Sequence, residues 1–252
     1  MMQSDRLVSP AVPTAHTVRL ALPVYKPYLT YLLLAINGLV WLAMTLMGGS
    51  TNTYVLVLFG AKYNPLIVAG QYWRLLTACF LHIGIVHLAF NSYALWILGL
   101  DVERRFGRRR FLSLYLLSGI GGFVLSFLGN DKISAGASAA IFGLVGAITV
   151  YFATYREQFG NWGRRRLSNL FGVIAINLLF GFMSPGIDNL GHIGGLLVSV
   201  TLGWAYCPRY QLERVAPDRA QLIDRLPKTR AYLVSFATLF VLAVLTWLGA
   251  HR

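Results

Sequence analysis

The chain has 252 residues, of which 56% are hydrophobic and only 12% are charged. A soluble domain carries about 25% charged residues, so this composition excludes an ordinary soluble enzyme and indicates a protein that folds in lipid. The net charge of +13 would suggest nucleic acid as the partner of a soluble protein. Here the basic residues lie in short runs between apolar segments, where they set topology. We therefore expect a lipid bilayer, and no nucleic acid, as the partner.

A membrane-spanning helix needs about 20 mostly apolar residues, and seven such segments follow one another along the chain. The predicted spans are 28–47, 75–100, 111–129, 137–155, 170–183, 191–206 and 231–250. The fifth has the shortest apolar stretch, although its charge-free run extends over 167–187. The fold class expected is all-α: a polytopic membrane helical bundle with a six-helix body and one further C-terminal helix.

The distribution of Lys and Arg gives the orientation of the bundle. Apart from Lys62, Arg74, Lys132 and Arg252, every basic residue lies in segments 1–27, 101–110, 156–166 or 207–230, which fall on one side of the membrane. The positive-inside rule places that side in the cytoplasm and the C-terminus outside. The expected organisation is a cytoplasmic segment 1–27, the six-helix body 28–206, a solvated basic linker 207–230, and the seventh helix with an external C-terminus, 231–252.

Polar side chains inside the spans are costly, so each one is a candidate functional residue. The second span contains His82, His87 and Asn91, the fourth opens around Ser138, and the sixth opens with His192. Counting from the cytoplasmic ends at about 1.5 Å per residue puts Ser138 about 25 Å up, His192 about 22 Å and His87 about 21 Å. Asn91 lies one turn deeper than His87 on the same helix face. Three spans thus place hydroxyl, imidazole and amide groups at one level.

These residue types suit nucleophilic catalysis. A serine needs a base to become a nucleophile, and neutral histidine is the usual one. The oxyanion needs donors, which a histidine N–H, an asparagine amide and the serine's own backbone N–H can supply. Asp188 is the nearest acid to His192 but falls in the predicted external loop. The sequence therefore predicts a Ser–His dyad rather than a triad.

Other chemistries find no support in the sequence. A metalloprotease would need H-E-x-x-H, which is absent. Neither Cys79 nor Cys207 has metal-ligand spacing, and no pair of intramembrane Asp residues is present. We expect no cofactor and no metal.

At these positions the sequence resembles the rhomboid family of intramembrane serine proteases, over roughly residues 30–206. The resemblance lies in Trp73-Arg74, the H-x4-H-x3-N pattern from His82 to Asn91, the G-x-S pattern from Gly136 to Ser138, and Pro185-Gly-Ile-Asp-Asn before His192-Ile-Gly-Gly. It implies that Ser138 is the nucleophile and His192 the general base. It also implies an oxyanion site formed by His87, Asn91 and the Ser138 amide, with Phe142 packed on the His192 ring.

Three positions depart from the common family pattern: Ala139, Gly191 and Ser199. Each is still small, so close packing of the fourth and sixth spans is expected to survive. Gly136 is expected to support the close approach of substrate beside Ser138. His82 is interpreted as tying the external loop to the second span.

The function expected is an intramembrane serine endopeptidase that cuts transmembrane helices of membrane proteins near the outer face of the bilayer, in a bacterial inner membrane. Its substrates should carry Gly or Pro below a small residue at the cut, because the scissile helix must unwind. A non-catalytic rhomboid-like protein that binds membrane clients is the first alternative. A transporter with a midplane site is the second.

Overall fold

The structure is a computed structural model that describes residues 19–21, 23–184, 186–216 and 219–251. Most of the predicted cytoplasmic segment 1–27, together with Pro185, Pro217, Asp218 and Arg252, lies outside these ranges. The chain forms two compact units. One comprises Val24–Pro208 and Leu226–Arg252, and the other comprises Met1–Pro23 and Arg209–Arg225.

The first unit is a helical bundle, which confirms the expected fold class. Its helices are α1 (Tyr28–Leu46), α2 (Thr53–Leu58), α3 (Asn64–Val68), α4 (Arg74–Thr77), α5 (Gly84–Phe106), α6 (Arg108–Gly129), α7 (Ser138–Thr154), α8 (Arg156–Met183), α9 (Asn189–Tyr206) and α10 (Lys228–Ala250). Among the described helices, α1, α5, α6, α8 and α10 are long and apolar enough to cross a membrane. Helix α7 is apolar but has only 17 residues.

Two of the predicted spans have different bounds in the structure. The second was predicted to begin at residue 75, but the chain first forms α4 and a 3-10 turn over Ala78–Phe80. Leu81 is extended there, so the long helix α5 begins only at Gly84. The fifth was predicted over 170–183, yet α8 runs over Arg156–Met183 with a break at Gly160, because the arginine run 164–166 is helical as well. Arginine is a good helix former.

The core of the bundle is built from α6, α7 and α9, which approach one another through small residues. A Cβ added at Gly195 of α9 would lie 2.1 Å from the carbonyl oxygen of Ala139 on α7. Glycine at this position therefore permits backbone contact between the two helices, as is typical of membrane helix packing. The first residues of α7 and α9 are thereby held side by side.

The long connection between α1 and α5 is ordered rather than structureless, and it contains α2, α3 and α4. Arg74 is buried and its guanidinium donates to the carbonyl oxygens of Val57 at 2.7 Å and Ala61 at 3.2 Å. It also donates to the Gln71 side chain. These bonds tie the connection together.

The second unit is a small sheet with strands β1 (Arg19–Ala21), β2 (Tyr210–Ala216) and β3 (Arg219–Asp224) in the order β1-β3-β2. Strand β3 pairs parallel with β1 and antiparallel with β2. The prediction of a simple linker over 207–230 was therefore incomplete. Leu212 lies opposite Leu222 in this hairpin, and such cross-strand pairs stabilise a sheet.

Candidate active site

Ser138 and His192 meet at one end of the core. Ser138 is the first residue of α7, and His192 lies in the first turn of α9. His192 Nε2 lies 2.9 Å from Ser138 Oγ, which is hydrogen-bonding distance. Gly195, one turn after His192, makes this approach possible because it brings α9 against α7. The two residues that sequence spacing alone put at one depth are thus in contact.

The orientation of the His192 imidazole is fixed by stacking on an aromatic neighbour. The Phe142 ring, one turn along α7 from Ser138, stacks on it with centroids 4.3 Å apart and planes 8° from parallel. The contact fixes the plane in which Nε2 points at the hydroxyl. His192 Nδ1 is buried and has no hydrogen-bond partner among the described residues. No carboxylate therefore orients this ring in the described part of the chain.

Asp188, the acid nearest to His192 in sequence, has a structural task. Its carboxylate accepts hydrogen bonds from Gly191 N at 3.1 Å, from the Ser126 hydroxyl and from the Asn130 amide at 3.3 Å. It thereby caps α9 and ties it to the end of α6. Within the described ranges, the geometry is that of a serine–histidine pair without an acid as third member.

His87 stands on the other side of Ser138. A Cβ at Gly136, where φ is +143°, would lie 2.8 Å from His87 Nε2 and 3.7 Å from Ser138 Oγ. Only glycine fits between these groups at this backbone angle. The backbone N–H of Ile83 donates to His87 Nδ1 at 3.3 Å. Neutral His87 therefore carries its proton on Nε2, the nitrogen that lies beside Gly136.

Asn91 and His82 complete the polar cluster around His87. The Asn91 amide nitrogen donates to the His87 carbonyl oxygen at 3.0 Å, so the side chain lies along its own helix, one turn below His87. His82 is fully buried before the start of α5, and its ring meets that of His87 edge to face, with centroids 5.3 Å apart. It is thus packed between the outer connection and α5.

Lys62 is a structural residue that the sequence did not reveal, because it was counted only as an external charge. It is fully buried, and its ammonium donates to the carbonyl oxygens of Asn130 at 2.7 Å and Lys132 at 2.9 Å. Its backbone pairs with Ser134, four residues before Ser138. Burial lowers the pKa of Lys62 to about 8, against the opposing charges of Asp188 and Asp131. The sequence feature that could have indicated this role is a single lysine within an otherwise apolar connection.

The fold and the cluster together define a class: a polytopic helical membrane protein with a paired serine and histidine near one end of its bundle. Residues 69–209, more than half of the chain, match the family described as the Rhomboid domain. The chain belongs to the rhomboid family.

Several curated relatives are similar over the same part of the chain. The chain is 51% identical over 172 residues to the protein named rhomboid protease GluP of Bacillus subtilis, a match that covers 68% of this chain and 33% of GluP. It is 41% identical over 160 residues to RHOMBOID-like protein 6, mitochondrial, of Arabidopsis thaliana, covering 63% and 51%. It is 39% identical over 163 residues to Rhomboid-like protease 1 of Toxoplasma gondii, covering 60% and 53%. The matches thus span about a third to a half of these relatives.

Proposed function

We propose that the protein is an intramembrane serine endopeptidase in which Ser138 is the nucleophile and His192 the general base. The observation that carries the proposal is the 2.9 Å contact between Ser138 Oγ and His192 Nε2 at the outer end of α7 and α9. Membership of the rhomboid family supports it. So does the similarity to relatives that are themselves named as proteases.

The proposed reaction uses these two side chains in turn. Ser138 Oγ attacks the scissile carbonyl carbon while its proton passes to His192 Nε2. The imidazolium then gives this proton to the leaving amine, and a water molecule hydrolyses the acyl-enzyme by the same route in reverse. His192 Nδ1 carries the ring's own hydrogen throughout, and the stacked Phe142 keeps the ring in line.

The negative oxygen of the tetrahedral intermediate needs donors that are already in place. The Ser138 backbone N–H lies in the first turn of α7, where helical N–H groups have no partner within the helix. The Nε2–H of His87 faces the same space across Gly136. The Asn91 amide, one turn deeper, is proposed as a third donor when its side chain turns from the His87 carbonyl toward substrate.

The distribution of basic residues supports a cytoplasmic N-terminus and an active site toward the external face, as in a bacterial inner membrane. The proposed substrates are transmembrane helices of other membrane proteins. A helical carbonyl is shielded by its own hydrogen bond, so the substrate must unwind near the cut, which costs several kcal/mol for each unsatisfied backbone group. Substrates with Gly or Pro below a small residue are therefore the proposed class.

The test is cleavage of a model transmembrane substrate by the purified chain in liposomes. Ser138→Ala and His192→Ala should each abolish cleavage, and the double variant should be no worse, because the two residues act as one unit. Ser118→Ala is the matched control, since Ser118 is buried on α6 and packs against Gly143 rather than His192. It should keep wild-type activity.

Residual cleavage above about 1% of the wild-type rate in Ser138→Ala would indicate a different nucleophile. Loss of the bond-forming atom typically lowers the rate about a million-fold. A folded wild-type chain that binds the substrate but leaves it intact would instead favour the non-catalytic, client-binding alternative.

A further inference from the structure

A basic cavity lies at the end of the bundle opposite to Ser138. It has a volume of about 360 Å³ and is formed where α6 and α10 begin and α9 ends. Four basic side chains line it: Arg108, Arg109, Arg110 and Lys228. None of its described lining residues is acidic. The cavity therefore concentrates positive charge in a bounded space.

The position of the arginines on α6 makes this charge unfavourable without an anion. Arg108, Arg109 and Arg110 are the first three residues of the helix, and its first turn contains no acidic residue. Cations are destabilising at the positive end of the helix dipole, and the N–H groups of the first turn are further donors without helical partners. The guanidinium groups of Arg108, Arg109 and Arg110 donate to the Lys26 carbonyl oxygen, the Tyr232 hydroxyl and the Tyr206 carbonyl oxygen, and these three oxygens carry no charge. A bound anion would add opposite charge beside them and beside the N–H groups of the first turn.

Basic residues also mark the cytoplasmic side of membrane proteins without binding anything. The run 164–166 on α8 fits that description, since Arg164 and Arg165 are exposed on the helix surface. The arginines of α6 differ because they surround a cavity that has a polar floor. Tyr206 of α9 and Ser235 of α10 are hydrogen-bonded to each other there, and Ser113 of α6 lies beside them.

An apolar groove continues from the cavity between α6 and α10. It has a volume of about 460 Å³ and shares Ser113, Tyr232 and Ser235 with the cavity. Its walls are Leu112, Leu116 and Ile120 on one side and Phe236 and Leu239 on the other. From Leu112 to Ile120 the groove follows α6 for about 12 Å. A free inorganic anion would leave this groove unused.

We propose that the cavity and the groove together bind one anionic phospholipid, with its phosphate among the four basic side chains and an acyl chain between α6 and α10. Basic pockets between membrane helices on the cytoplasmic side suit such head groups. The site would attach α10, which corresponds to the seventh predicted span, to the rest of the bundle through a lipid. It is separate from the proposed proteolytic site and does not depend on that activity.

The test is lipid titration of the delipidated full chain in detergent, with bound lipid counted by native mass spectrometry. Dioleoyl phosphatidylglycerol should bind about tenfold or more tightly than dioleoyl phosphatidylcholine, which has the same chains but no net charge. The double variant Arg109→Gln, Lys228→Gln should lose about tenfold or more of the phosphatidylglycerol affinity. The matched control Arg164→Gln, Arg165→Gln loses the same net charge outside the cavity and should bind as wild type.

A second pair of variants tests the groove without changing charge. Leu239→Trp fills the groove from a half-exposed position and should weaken phosphatidylglycerol binding, whereas Leu233→Trp, on an exposed part of α10 outside the groove, should not. Inorganic phosphate added at the concentration of the lipid should not displace it.

Equal affinity for the two lipids, or equal losses in the two charge variants, would overturn the proposal. Displacement of the lipid by inorganic phosphate, together with an unaffected Leu239→Trp, would show a free-anion site instead and would overturn it too.

Discussion

Helices α7 and α8 follow one another in the chain and are packed in opposite ways. Twelve of the 17 residues of α7 are buried, whereas only Gly163, Leu170 and Gly181 are buried among the 28 residues of α8. Helix α7 carries Ser138 and is enclosed by its neighbours. Helix α8 presents most of its length to the surroundings of the bundle. The difference indicates that the polar cluster lies on the closely packed part of the molecule and that α8 is held by fewer buried contacts.

The attachments of α8 support this interpretation. At its lower end, Phe159 and Trp162 pack on Phe152 of α7, with ring centroids 5.3 Å and 5.4 Å away. Toward its upper end, the Asn189 amide of α9 donates to the Leu178 carbonyl oxygen at 2.9 Å. Helix α8 is thus fixed by aromatic packing far from Ser138 and, within the described part of the chain, by one side-chain hydrogen bond to α9 near it. We expect a transmembrane substrate to enter past this upper end.

The largest expected effect is on the cleavage rate, and it compares two asparagines that make the same kind of hydrogen bond, one in the polar cluster and one on α8. Asn91 on α5 and Asn177 on α8 each donate to the carbonyl oxygen four residues earlier, at 3.0 Å and 2.8 Å. Asn91→Ala should lose roughly 10- to 1,000-fold in cleavage rate, because one oxyanion donor is worth about 2.7–4 kcal/mol and others remain. Asn177→Ala should stay near wild type. Equal losses of cleavage rate for the two variants in a liposome assay would show that Asn91 only supports its helix and is not an oxyanion donor.

A smaller effect is expected on the free energy of unfolding, and it compares Gly195, which packs against α7, with Gly172 on α8. Gly195→Ala should cost about 1–3 kcal/mol of unfolding free energy, because its Cβ would meet the Ala139 carbonyl oxygen. Gly172→Ala on α8 meets nothing within 4 Å and should stabilise the helix by up to about 1 kcal/mol. Thermal unfolding in detergent measures both. Similar melting temperatures for the two variants would contradict the proposed difference in packing.

The smallest expected effect concerns access past α8. Asn189→Ala removes the bond to Leu178, and a hydrogen bond is typically worth about 0.5–1.5 kcal/mol. Cleavage of a transmembrane substrate should therefore rise by up to about tenfold, while cleavage of a short soluble peptide, which need not pass between helices, should not change. Parallel changes for both substrates would show that the variant disturbs His192 rather than the wall.

Much of the polar cluster around Ser138 and His192 could be predicted from the sequence, because the patterns that indicate it are local. The polar residues inside apolar segments, the cytoplasmic ends of the predicted spans and the helical rise per residue were sufficient to place Ser138, His192 and His87 at one depth. The stacking of Phe142 on His192 followed from the family resemblance. The depth of the three polar residues could be predicted because the spacing along a helix determines the position of a side chain.

Contacts between distant segments could not be predicted in the same way. The Lys62 ammonium finds its acceptors about 70 residues later in the chain, and no local pattern reports such a pairing. The strands β2 and β3 lie in a segment whose charge suggested a linker. The length of α8 was underestimated because apolarity was used to set its start, although arginines also propagate a helix.

The central claim is that Ser138 is an activated nucleophile, and a serine-directed fluorophosphonate tests it most directly. In the purified, folded chain we predict stoichiometric labelling that peptide mass spectrometry assigns to Ser138. Labelling should vanish in Ser138→Ala and in His192→Ala, and it should persist in Ser118→Ala. A label that remains on the Ser138→Ala chain, or a folded wild-type chain that takes up none, would contradict the account.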